Sequence, residues 1–79
     1  MTAKNLAACL SAAGIAVLSH SERDDAADAG VFLSGNRDVQ IAGRRLILNQ
    51  WVEEDEASWE LGEFRSVAEL IGHLKGSNR

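Results

Sequence analysis

Turn signals crowd the middle of this chain, and they decide most of what it can fold into. Gly35-Asn36, Gly43-Arg44 and the acidic run Glu53 to Glu56 separate apolar stretches no longer than a strand. A parallel crossover needs a dozen or more residues, so strands joined this tightly run antiparallel. Val31, Phe32 and Leu33 precede the first turn. Val39 and Ile41 follow it and alternate with Asp38 and Gln40, the period-two pattern of a half-buried strand. Arg45 to Val52 is the longest stretch, with Leu46, Leu48 and Val52 on one face and Ile47 and Trp51 on the other. Apolar residues on both faces predict a central strand covered twice, or an exposed Trp51 that serves as a contact. Beyond the acidic turn, Trp59 and Leu61 alternate with Glu60 and Gly62 in a last strand.

Helices bracket this region. Thr2 is a candidate N-cap, and Leu6, Cys9, Leu10 and Ala13 fall at helical spacing before Gly14. Ile15 to Leu18 then reads as a short buried strand, and residues 19–30 as a polar surface loop with one helical turn at Asp24 to Ala29. At the other end, Ser66 and Glu69 make an S-x-x-E capping box with Phe64 placed to pack beside it. Val67, Leu70, Ile71 and Leu74 line the face of that helix, Lys75 lies in its last turn and Gly76 ends it. The expected fold is α+β: a small antiparallel β-meander of about four to five strands packed with an N-terminal and a C-terminal α-helix. Residues 1–79 form one domain in this reading, near the lower size limit for an unaided core.

The N-terminus imitates a targeting signal. Lys4 precedes an apolar run from Leu6 to Leu18, and Leu6, Ala7, Ala8 and Cys9 spell a lipobox. The basic region before Cys9 is too short, however, and most of the apolar run lies after that cysteine. The run is also too short to cross a bilayer. The segment therefore reads as the first helix and strand of an uncleaved chain, with no membrane association. One cysteine cannot form an internal disulfide, which points to the cytoplasm, and Cys9 is read as a small apolar residue on the helix face.

Most chemistries find no support in the motifs. His20 and His73 belong to no ligand-spaced pair, and one cysteine builds no zinc knuckle. A calcium loop counted from Asp24 or Asp25 needs its bidentate glutamate where Gly35 or Asn36 stands. There is no nucleophile elbow and no glycine-rich phosphate loop. The reading is therefore no catalytic residue, no metal and no cofactor. Arg37, Arg44, Arg45 and Arg65 would make only a small positive patch on a chain of net charge -4, so direct nucleic-acid binding is not expected.

Charge segregation points elsewhere. Residues 46–63 hold Glu53, Glu54, Asp55, Glu56, Glu60 and Glu63 with no Lys or Arg. Residues 21–30 add Glu22, Asp24, Asp25 and Asp28 against Arg23. Blocks of one sign steer a partner of the other, and an aromatic anchor with a charged rim is the make-up of an interface hot spot. The expected site is a partner-binding surface built from Glu53, Glu54, Asp55, Glu56, Glu60 and Trp51, with Asp24 and Asp25 joining a negative ridge if both acidic segments share one end of the sheet. The partner is a protein with a basic surface.

In size and acidity the chain resembles the small inhibitors made by phages and mobile elements, anti-CRISPR proteins among them, some of which imitate nucleic-acid charge to occupy a basic groove. That resemblance implies an inhibitor docking on a nucleic-acid-binding complex. It covers gross composition and no motif, so no residue role is carried over. The alternative is a self-associating structural domain or an accessory subunit with no catalytic role, pairing as a homodimer through a free sheet edge such as Val31 to Leu33. A small enzyme would instead need a concave pocket holding His20 or His73 beside a carboxylate.

Overall fold

A computed structural model of the chain describes residues 2–22 and 29–76. Helix α1 (Ala3–Ala12) leads into strands β1 (Val17–Ser21), β2 (Gly30–Leu33), β3 (Arg37–Ala42), β4 (Arg45–Val52) and β5 (Ala57–Phe64), and helix α2 (Val67–Gly76) follows. The five strands form one antiparallel sheet in the order β1-β2-β3-β4-β5, the meander that the short turns require. Helix α1 lies against β1 and β2, while α2 lies against β5 and α1. Both helices cover the same face, because Val31, Val39 and Leu48 form one cross-strand row of that face and are all buried. Leu6, Leu10, Leu70 and Leu74 close the core from the helix side.

Helix α1 starts and stops by local chemistry. Thr2 Oγ1 accepts the Asn5 backbone N–H at 3.1 Å. At the other end Gly14 takes φ +87°, its N–H donates to the Ser11 carbonyl, and the Ile15 N–H donates to the Leu10 carbonyl at 3.0 Å. This is a Schellman motif, and it works because glycine enters the left-handed region without a Cβ penalty. The buried face, however, is Ala3, Leu6, Ala7 and Leu10. Cys9 is exposed, and Ala13 is only half-buried, so the face expected from Leu6, Cys9, Leu10 and Ala13 is rotated. Both sets obey helical spacing and share the two leucines. The alanine-rich sequence offers small residues on either side, and packing on β1 and β2 selects one of them.

Strand β1 also differs from expectation. It begins at Val17 and runs on through Ser19, His20 and Ser21, which pair with Phe32, Val31 and Gly30. These exposed polar residues carry no hydrophobic signal; backbone pairing alone makes them a strand. Their pairing covers the outer edge of β2, so Val31 to Leu33 lies inside the sheet and is not the free edge the sequence reading named. The edges are β1 and β5.

Two irregularities re-aim side chains. Leu18 is an extra residue between Val17 and Ser19, and Leu61 is another, because Glu60 pairs with Asn49 and Gly62 with Leu48. The simple alternation expected of Trp59, Glu60, Leu61 and Gly62 is therefore broken at Leu61. Trp59 pairs with Gln50 on the helix side, yet it is 55% exposed. The capping box of α2 is present in altered form. Ser66 Oγ accepts the Glu69 N–H at 3.2 Å, while Glu69 reaches back to the Arg65 N–H at 3.0 Å, one residue before the cap.

Candidate functional site

With both helices on one side, the other face of the sheet is left uncovered. One cross-strand row on it runs Ser19, Phe32, Asp38, Asn49 and Glu60 through all five strands. A second begins with Trp51 opposite Ser58. The bulge at Leu18 adds a third large apolar side chain beside these rows. Leu18, Phe32 and Trp51 are 69%, 48% and 44% exposed. Together with Asn36, Asp38 and Ser58 they line a depression of about 410 Å³. Small-ligand pockets commonly measure roughly 300–1,000 Å³, so the space admits a side chain of another molecule.

The depression is held in shape by the β2–β3 turn. The Trp51 N–H donates to the Asn36 carbonyl at 2.7 Å, and Gln50 Nε2 donates to the Gly35 carbonyl at 2.8 Å. These bonds dock the end of β4 on the turn and fix Trp51 beside Phe32 and Asp38. Asp38 Oδ2 accepts from Asn49 Nδ2 at 3.2 Å across the strands. Arg37 borders the depression at its turn end, but it belongs to the helix-side row between Leu33 and Gln50, and its Nε donates to the Ser34 carbonyl at 3.3 Å.

The sequence-predicted residues divide into two groups. Trp51 stands two positions before the turn Glu53–Glu56, whose four acidic side chains are exposed, and Glu60 shares the uncovered face with Trp51. Trp51 and Glu60 thus share a face, and the acidic turn stands next to Trp51 in the chain. Asp24 and Asp25 lie outside the described residues. The residues that flank them, Ser21 and Gly30, sit in the row of Gln40, Ile47 and Glu63, at the end of the sheet that carries the Gly43-Arg44 turn. Glu53–Glu56 connects the strands at the opposite end.

Leu18, Phe32 and Asp38 are the residues the sequence reading passed over. Three consecutive apolar residues in β2 were a usable signal, since alternation forces the middle one, Phe32, to face away from the core. The basic residues are also dispersed. Arg45 pairs with Glu63 at 3.0 Å, both well exposed, while Arg44 and Arg65 border a separate hollow of about 140 Å³ near the start of α2.

His20 is exposed on β1, and His73 packs its ring against Phe64 with centroids 5.1 Å apart. Neither lines the depression at Trp51, the hollow beside Arg44 and Arg65, or a further hollow between Gly14 and Leu74. Among those residues no group of three His, Cys, Asp or Glu is placed to hold a metal ion, and no helix is long and apolar enough to cross a membrane. Compared with protein-family models, with curated proteins and with solved structures, the chain matches none of them.

Proposed function

We propose that the chain is a non-enzymatic, acidic protein-binding module of the cytoplasm. It docks by the uncovered face of its sheet on a basic surface of a partner, and that partner is a nucleic-acid-binding complex which the module inhibits. The observation that supports this most is the company Trp51 keeps. Three large, exposed apolar side chains meet at one depression; Glu60 stands on the same face of the sheet, and the exposed acidic turn Glu53–Glu56 begins two positions after Trp51. Aromatic area supplies burial on docking, and the surrounding charge steers a cationic surface toward it while repelling phosphate backbones.

A tagged pull-down from host lysate, with and without nuclease, tests the reading. A nucleic-acid-handling complex that survives nuclease and is lost with Trp51→Glu is the expected result. Recovery of the bait alone overturns it. A self-associating domain is the second reading, carried by the free edge of β5 and the exposed Trp59 and Leu61. A sedimentation profile that stays monomeric as concentration rises removes that alternative.

A further inference from the structure

We infer that the depression between Phe32 and Trp51 is a receptor for an arginine side chain of the partner, with Asp38 as the carboxylate that receives the guanidinium. This deepens the docking reading above and rests on it. Phe32 lies directly opposite Asp38 in the β2–β3 pair, and Asn49 lies directly opposite it in the β3–β4 pair. Directly paired residues on one face bring their Cβ atoms to roughly 5 Å, and diagonal neighbours remain within reach of an aromatic ring. Trp51 is such a neighbour, two positions beyond Asn49 on the same face. A half-buried carboxylate is thereby set between two exposed aromatic rings and the aliphatic side chain of Leu18.

The carboxylate is oriented but not saturated. Asn49 Nδ2 donates to Oδ2, and no hydrogen bond or ion pair engages Oδ1 among the described residues. An ionised carboxylate offers about four acceptor sites, so most of its capacity is left unused at the wall of the depression. Among the described residues, Arg37 is the one basic residue on the lining; it comes from the helix-side row and is tied to Ser34.

The arrangement fits guanidinium better than ammonium. A planar guanidinium stacks on an aromatic face and presents a fork of donors to a carboxylate, whereas a lysine ammonium is a compact, strongly hydrated charge. An apolar ligand leaves Asp38 desolvated, and a phosphate meets a carboxylate of its own sign. The acidic turn and Glu60 raise the local concentration of a basic segment; Asp38 selects the residue that anchors it.

The inference is tested on the full chain alone by titrating an acetylated, amidated Gly-Arg-Gly peptide and following backbone and indole resonances by NMR. The citrulline and lysine counterparts serve as controls. Expected are shifts concentrated at Phe32, Asp38, Asn49 and the Trp51 indole, and binding at least tenfold weaker in Asp38→Asn. Binding persists when Glu53, Glu54 and Glu56 are replaced by Gln. Trp51→Leu keeps an apolar residue on an exposed strand position, and it weakens binding without unfolding the chain. Equal binding of citrulline or lysine peptide overturns the guanidinium assignment. Binding that survives Asp38→Asn but disappears in the turn variant overturns the receptor in favour of diffuse acidity. Because no partner is needed, absence of peptide binding beside a successful pull-down overturns the anchor while leaving the docking reading standing.

Discussion

The Glu22 carboxylate, just beyond the end of β1, accepts the backbone N–H of Lys4 at 2.9 Å, and its second oxygen accepts that of Ala3 at 3.1 Å. Helix α1 has no acidic residue in its own first turn, so a residue about twenty positions away supplies the negative charge that a helix N-terminus favours. The contact also ties the edge strand to the helix that covers it.

A pH dependence follows from that contact. The bond from Lys4 is the largest influence on Glu22, followed by the bond from Ala3 and the charges of His20 and Lys4, and together they lower its pKa. A lowered folded-state pKa contributes stability that is full above the ordinary glutamate value and lost as pH falls through the lowered one. Glu22→Gln is expected to reduce the melting temperature at neutral pH, with the gap to the parent chain closing on acidification across that window. A gap of constant size through the acid range contradicts the assignment.

The corrected face of α1 makes a paired prediction. Leu6 and Leu10 are fully buried, so truncating either to alanine is expected to cost about 2–5 kcal/mol. Cys9→Ser, at an exposed position, is expected to change stability by less than about 0.5 kcal/mol. Denaturant melts check both, and the native chain should label at Cys9 without unfolding. Slow labelling that tracks global unfolding places Cys9 in the core after all.

How much of this was legible can be argued from a few residues. Turn spacing carried the meander, because Gly43-Arg44 and Glu53–Glu56 leave no room for a crossover. The Ser66 and Glu69 pair marked α2. Three things left no readable trace: which alanines of α1 face inward, that Ser19 to Ser21 pair as a strand, and that Leu18 and Leu61 are bulged. Each is decided by contacts between segments distant in sequence. The candidate site was half visible for the same reason. Trp51 and the acidic turn are neighbours in sequence, whereas Phe32 and Asp38 join them only through strand pairing.

Gly62 is the next position at which a substitution is informative. It lies opposite Leu48 on the helix side, and a Cβ there would stand 3.1 Å from Phe64 Cζ and 3.3 Å from Cε2. The Phe64 ring lies over the glycine and packs against His73. Gly62→Val is expected to displace the ring and cost about 1–3 kcal/mol. Loss of the Phe64–His73 proximity signal by NMR would accompany it; an unchanged ring with unchanged stability argues against this packing.

Glu56 tests the acidic turn as structure. It takes φ +47°, a left-handed conformation that a residue with a Cβ adopts at a cost of roughly 1–2 kcal/mol. Glycine removes that cost while losing some backbone freedom, so Glu56→Gly is expected to stabilise the chain by about 0.5–1 kcal/mol. Glu56→Ala keeps the Cβ and is expected to stabilise little. Equal gains from both variants would assign the effect to charge relief within the turn.

Function separates from stability most cleanly at the same turn. The side chains of Glu53, Glu54, Asp55 and Glu56 are exposed and make no hydrogen bond or ion pair among the described residues. The turn is closed by backbone bonds instead, from the Asp55 and Glu56 N–H groups to the Val52 and Glu53 carbonyls, each 3.2 Å. Reversing the four charges to Lys is therefore expected to leave the melting temperature nearly unchanged. Association with the captured partner should slow by roughly 10–1,000-fold at low salt, the range that electrostatic steering spans. Because exposed charges are screened beyond a Debye length, the parent and reversed chains should converge in on-rate as salt rises. Rates that are indistinguishable at low salt would remove the acidic turn from the docking mechanism and leave the aromatic depression to carry it alone.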